Sequence, residues 1–235
     1  MQLNIYNMNM KKNGFTLIEL IIAVFVGGLI LTAVYASINM AQRSSASVGR
    51  KVVTQQDARA VLDLMAMEIR MASYNPTNSN TIWSSIPACA SMNITLTTAN
   101  KGIQTASGAV DANTIVIAMD LNADGIIGPP WANEYIEYSY NATDKTITRN
   151  SNCGGDQPIL GGAGSATMVR NDAAGVSLFQ YFDSSGVATT SIPAIRRIRI
   201  TIVADTESKD SLTTSNPRRM TYTTDVLVPN HVLSP

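Results

Sequence analysis

The side chains whose type and position most clearly imply chemistry are Gly14, Phe15 and Glu19. Lys11 and Lys12 precede them, and an almost wholly apolar run follows to Ile38, with Glu19 its one charged residue. As a helix rising about 1.5 Å per residue, that run is long enough for a hydrocarbon core of about 30 Å. A carboxylate at mid-membrane costs about 2.5–3.5 kcal/mol on insertion scales, so it calls for a partner. Near the start of its own helix, Glu19 meets unpaired N–H groups and the positive end of the macrodipole, which favour negative charge. Once such helices pack together away from lipid headgroups, the carboxylate has to pair or protonate.

A second set of oxygen ligands lies in Asp120-Leu121-Asn122-Ala123-Asp124-Gly125-Ile126. Asp120, Asn122 and Asp124, with the carbonyl of Ile126, are spaced as in the first half of a calcium loop, and Gly125 permits the sharp turn. The twelfth position is Trp131 rather than Glu, so the full helix–loop–helix motif fails. Glu134 is positioned to supply the missing bidentate carboxylate, giving a structural calcium site. The bland alternative is an Asx turn between strands that binds nothing.

Cys89 and Cys153 are the only cysteines. In an exported chain such a pair forms a disulfide, and closing so long a loop stabilises by about 4 kcal/mol in the chain-entropy account. Zinc would need four ligands and only His231 remains to help. That lone histidine lies near the end of the chain, where a mobile terminus is expected, so a His-based triad has little support. No Gly-x-Ser-x-Gly occurs, and the glycines at 154–155 and 161–164 lack the Lys-Ser/Thr of a phosphate loop. With formal net charge zero, the arginines at 196–197, 199 and 218–219 read as a solvated strand face, and no nucleic-acid partner is evident.

The elements that hold these residues follow from periodicity. Val48, Val52, Gln55, Ala58, Leu62, Met65, Ile69 and Ala72 recur at spacings of three and four, a helical stripe. No proline interrupts before Pro76, so one helix is expected from about residue 15 to about residue 73. Beyond it the pattern shortens to strands at 93–98, 114–119, 134–140, 146–149, 176–182, 194–204 and 222–228. The expected fold is α+β, a long N-terminal helix packed on an antiparallel β-sheet head. The segments are residues 1–14, 15–40 as an apolar helix half, 41–73 as its amphipathic half, and 74–235 as the head. Gly27-Gly28 interrupts the apolar run, where it weakens the helix and can let a neighbouring helix come close.

Gly14-Phe15-Thr16-Leu17-Ile18-Glu19 resembles the N-terminal motif of type IV pilins and type II secretion pseudopilins. The resemblance implies a type III leader, residues 1–14, cut after Gly14 by a prepilin peptidase, with N-methylation of Phe15. Glu19 then corresponds to the family's helix glutamate, which pairs with the freed amine of a neighbouring subunit and sets assembly register. The Asp-rich turn followed by Ile136-Glu137-Tyr138-Ser139-Tyr140 and a short strand ending in Arg149 is similar to larger minor pilins of the PilW type. Leu178–Asp183 followed by Ile195–Ile202 is similar to J-type minor pseudopilins. Implied partners are other pilin or pseudopilin subunits, the prepilin peptidase, the inner membrane and its assembly platform. The implied product is a non-enzymatic minor pilin, held in the inner membrane with a periplasmic head before joining a filament.

Two neighbouring readings stay open at this point: a minor pseudopilin of type II secretion, and a periplasmic lectin-like protein or enzyme on an uncleaved anchor. An ordinary secretory signal would place its cut after the apolar run, near Ser44-Ser45-Ala46.

Overall fold

The computed structural model describes residues 14–84, 100–105, 109–128, 133–165, 167–206 and 219–233. Residues 1–13 of the expected leader, the strand expected at 93–98, Cys89, Trp131 and Arg218 lie outside the described residues. Helix α1 spans Leu17–Arg70 and runs unbroken through Gly27-Gly28. It contributes to two compact units, one ending at Gly49 and one beginning at Arg50. The boundary therefore falls within the amphipathic half expected over 41–73, and assigns residues 50–70 to the head.

In the first unit the apolar side chains of α1 are exposed, Leu17, Ile18, Leu20 and Phe25 among them. By length and composition α1 can cross a membrane, with a mean hydropathy of 2.6 over its most apolar window.

In the second unit the same helix buries a stripe: Thr54, Ala58, Val61, Leu62, Met65 and Ile69. The lower part of the expected stripe is thus present. Its upper part is not, because Val48 and Val52 stay exposed and Thr54 is the residue turned inward. Thr54 is satisfied there by the hydroxyl of Thr167, 3.1 Å away.

The head carries two antiparallel sheets. The first has the order β1 (Ile103–Gln104), β2 (Thr114–Ala118), β3 (Tyr135–Asn141), β4 (Thr146–Ser151), β5 (Gln157–Gly161). In the second, β8 (Arg197–Thr206) pairs with β6 (Thr167–Val169) and β7 (Phe179–Phe182), and β9 (Arg219–Leu227) also pairs with β8. Short helices α2 (Asn171–Ala174) and α3 (Asn230–Leu233) complete the described elements. The β3–β4 hairpin forms as the alternation indicates, with Tyr140 opposite Ile147. Asn141 Oδ1 accepts from the amides of Thr143 and Asp144, which shapes the turn. β5 falls within the Gly-, Ser- and Asn-rich stretch from 150 to 167 and β6 begins at its last residue, and the periodicity marks no strand at either.

One core joins the helix to both sheets. Ala58, Leu62, Met65 and Ile69 belong to the same buried cluster as Ile115, Ile117, Tyr138 and Ile147 of the first sheet. Ile198, Ile200 and Ile202 of β8 belong to it too, alternating with Arg197 and Arg199 at the period of a strand. Burying each such side chain stabilises by about 1.5–3 kcal/mol. A polar tie crosses the same interface. Glu68 takes Arg149 Nη2 at 2.8 Å and Nε at 3.1 Å, and it also accepts from the hydroxyl of Tyr138.

The end of α1 is the most constrained point of the head. Ser73 has φ 65°, a left-handed value usually left to glycine. It is held by Ser73 N–H to Ala118 O at 2.9 Å, while its hydroxyl accepts from Gly102 N–H at 3.0 Å. A Cβ on Gly102 would fall 2.2 Å from Ala118 O and 2.3 Å from Ser73 N, so only glycine fits. The Ser73 hydroxyl also meets His231 Nδ1 at 2.8 Å, and His231 Nε2 lies 2.9 Å from Ile192 O. A carbonyl can only accept, so Nε2 carries the proton and Nδ1 accepts from Ser73. His231 is buried. This corrects the expectation of a mobile terminus: the histidine that looked idle pins α3 to the end of α1.

Candidate functional site

The N-terminal site is built by the start of α1. Residues 14–16 precede the first helical residue, Leu17, and both Gly14 and Phe15 are exposed. A Cβ on Gly14 would meet nothing within 4 Å, and its backbone is not in the left-handed region. Nothing in the described fold requires glycine there.

Thr16 and Glu19 form a reciprocal cap. Glu19 Oε2 accepts from Thr16 N–H at 2.9 Å and from Thr16 Oγ1 at 2.8 Å. The return bond, Glu19 N–H to Thr16 Oγ1, is longer at 3.4 Å. This is the capping box, Thr-x-x-Glu, whose spacing is legible in the sequence alone. Its consequence is specific. One oxygen of Glu19 is engaged by its own helix start, and Oε1 has no hydrogen-bond partner among the described residues. The cap uses the N–H of Thr16 rather than anything before Phe15, so cutting the 14–15 bond leaves it intact.

The Asp-rich loop closes on its own hydrogen bonds. Asp124 Oδ1 accepts from Ile126 N–H at 2.8 Å, and Asn122 Oδ1 accepts from Asp124 N–H at 2.9 Å. Asn122 Nδ2 donates to Asp124 Oδ2 at 2.8 Å. Glu134 reaches into the loop as anticipated, taking Leu121 and Asn122 N–H on Oε1 at 3.0 and 3.2 Å and Gly128 N–H on Oε2 at 3.3 Å. Asp120 Oδ2 accepts from Gly125 N–H at 3.1 Å. Ile126, the expected carbonyl ligand, is exposed.

As it stands, the loop does not gather its acids around a common point: among the described residues no three acidic, Cys or His side chains converge as metal ligands. Two features nevertheless suit a cation. Asp120 and Glu134 are buried, at 0% and 1% exposure, and no lysine or arginine pairs with either among the described residues. Asp120 Oδ1 is buried with no hydrogen-bond partner. Buried charges ordinarily pair or coordinate.

Cys153 packs beside Trp83, Tyr135, Ile82 and Ile127 in a second buried cluster. Its expected partner, Cys89, lies outside the described residues. Of the basic strand residues, Arg197 and Arg199 both reach Asp225, at 2.6 and 2.8 Å, and both guanidinium groups lie over the ring of Phe182. Arg219 reaches Asp205 at 3.3 Å. These arginines are engaged within the sheet.

Comparison with known families places two matches on this geometry. A prokaryotic N-terminal methylation motif matches residues 9–35, which contain the Gly14–Glu19 site. A family described as prepilin peptidase-dependent protein B matches residues 48–227, the head with its share of α1. No curated protein and no solved structure matches the chain.

Proposed function

Because the chain belongs to the prepilin peptidase-dependent protein B family, whose match spans well over half its length, we propose that it is a minor pilin of a type IV pilus. In this reading a prepilin peptidase cuts between Gly14 and Phe15, and the new amine is methylated. The chain waits in the inner membrane by residues 15–40 with its head in the periplasm. It then enters the fibre or its tip, docking on the inner-membrane assembly platform and helping to start polymerisation. Its role is structural and not enzymatic.

The observation that carries the reading is the half-satisfied carboxylate of Glu19 in an otherwise apolar, exposed helix. Oε2 held by Thr16 fixes the side chain, and Oε1 is left for a cation. The ammonium of a neighbouring subunit's Phe15 supplies one, and the resulting pair sets the axial step. Gly14 fits the same picture, since the demand for glycine comes from an enzyme approaching the backbone closely. Mass analysis of the mature N-terminal peptide should find methylated Phe15. A chain starting at Met1 or near Ser47 would overturn the proposal. Loss of piliation, rather than of protein secretion, on deletion is the expected sign of the pilus over a secretion machine.

Two features of the head belong to the same reading. The Asp-rich loop is proposed as a structural calcium site using Asp120, Asn122, Asp124, the Ile126 carbonyl and Glu134. Buried, cationless Asp120 and Glu134 are its support. Cys89 and Cys153 are proposed to be disulfide-linked, and a non-reduced digest lacking the joined peptides would remove that link.

A further inference from the structure

The sheet edges of the head are unequal. β1 pairs over only two residues, and β6 is three residues long. β5 contains Pro158, and its register against β4 shifts between Ile147 and Thr148. The outer edge of β7 is covered, with Phe179 N–H bonded to Ala112 O and Thr189 N–H to Tyr181 O. Shortness, proline, irregular register and cover are the usual ways a sheet keeps other strands away. Among the described residues β9 has none of them. It holds unbroken register with β8 over nine pairs, and no described residue pairs with its other edge. Thr221-Tyr222-Thr223-Thr224 at its centre are good strand formers.

The ladder decides which backbone groups point outward. Thr201 N–H goes to Leu178 O on the β7 side, and Val228 N–H goes to Arg196 O across the β8–β9 pairing. Even-numbered residues of β9 therefore bond to β8. The N–H and C=O groups of Arg219, Thr221, Thr223, Asp225 and Leu227 face away from it.

We propose that β9 is an interface for a second copy of this chain, joined antiparallel about Tyr222 so that the two sheets become one. In that register Arg219 faces Asp225 of the second copy and Thr221 faces its Thr223. Every outward-pointing residue from 219 to 225 meets another, as the close hydrogen-bonded pairs of an antiparallel ladder require. Arg199 is already opposite Asp225, and Asp205 is already opposite Arg219. The joined sheet thus carries a row Arg199–Asp225–Arg219–Asp205 in which signs alternate across four strands, twice over. Sliding the register by two residues one way places Leu227 against Arg219, and sliding it the other way places Arg219 against Thr223, so that in neither does Arg219 face Asp225. Opposite charges directly across a ladder stabilise and mismatched ones do not, so the strand selects one self-pairing, and its two-fold symmetry closes the contact at two copies. The inference is independent of the pilus reading.

Crosslinking of the full-length chain in membranes tests it. Cross-strand Cα atoms about 5.5 Å apart lie within disulfide reach. Co-expressed Thr221→Cys and Thr223→Cys chains should give, on mild oxidation, a species of twice the subunit mass. Its yield should exceed that of either variant alone at least tenfold. Thr223→Pro removes an outward N–H together with the 3.3 Å contact between the Thr223 and Thr201 hydroxyls, and should turn a detergent-solubilised dimer into a monomer, whereas Thr223→Ala, which loses only the hydroxyl contact, should stay dimeric. No doubled species from the mixture, equal crosslinking by Thr223→Cys alone, or a product whose mass betrays a different subunit would each overturn the proposal. So would a Thr223→Pro chain that remains dimeric.

Discussion

The two units of this chain treat the same kinds of residue in opposite ways. Before Gly49, leucines, isoleucines and phenylalanines stand exposed along α1, and the single carboxylate is half satisfied by its own helix start. From Arg50 onward, Ile69 on the helix and Ile115, Ile117, Ile198 and Ile200 on the two sheets are fully buried, and Glu68 is closed off by Arg149 and Tyr138. Apolar surface left open needs lipid or another subunit to cover it, whereas the head completes its own core. One region is built to be finished by partners, and the other to stand while that happens.

Glycine substitutions should give the largest contrast. Gly102→Ala drives a Cβ into Ala118 O and Ser73 N and should cost the head at least about 3 kcal/mol, read as a fall in its urea midpoint. The two glutamates divide next. Glu68→Ala strands a mostly buried guanidinium and should destabilise the head by about 3 kcal/mol. Glu19→Ala should leave that denaturation curve in place and instead abolish incorporation into filaments. Equal incorporation would sink the pairing assigned to Glu19.

Acid should act on the head through His231. Burial pushes its pKa down from 6.5 to about 4, with Lys101 and Arg196 adding to the depression and the Ile192 carbonyl opposing it. Between those values the unfolded chain binds more protons than the folded one, so stability is full above about pH 6.5 and declines as pH falls. The stability difference between wild type and His231→Gln should shrink by about 3 kcal/mol from pH 7 to pH 4. A pH-independent difference would mean that the ring binds its proton equally well in the folded and unfolded chains, against the depression that burial imposes. Glu137 works the other way. Burial, with Asp156 nearby, raises its pKa to about 7, so it favours the folded state below neutrality, which is why the difference and not the raw curve is informative.

Calcium should sharpen the head further. Added at about a hundred times its dissociation constant after chelation, it should stabilise by about 2.7 kcal/mol, a rise of several degrees in Tm. Asp120→Asn should remove that rise, and an unmoved Tm in the wild type would mean that hydrogen bonds alone close the loop. The smallest effect belongs to Gly27→Ala and Gly28→Ala. Nothing lies within 4 Å of either added Cβ, so the isolated chain should tolerate both, gaining about 1 kcal/mol of helix propensity apiece. A defect confined to filament assembly would then locate their role between subunits.

What could be read from the chain without coordinates was whatever depends on near neighbours in sequence. The long helix, the Gly14–Glu19 motif, the β3–β4 hairpin and the alternation of Ile198, Ile200 and Ile202 with arginines are all local periodicities, and local sterics decide them. Even the Thr16–Glu19 cap was legible at that range. Strands β5 and β6 were not, because Gly- and Ser-rich segments enter sheets only when neighbouring strands offer bonds. Nor was the turn of Thr54 inward in place of Val52, which is set by Thr167 far along the chain.

The tertiary structure alone decided the roles that need distant partners. Ser73, Gly102, Ala118, Ile192 and His231 meet at one point from five separated stretches. No periodicity encodes such a meeting, since each residue is ordinary in its own segment and becomes special only through the hydrogen bonds that burial obliges it to make. The open edge of β9 is of the same kind: its residues announce a strand, and only the sheet around it shows which side was left unpaired.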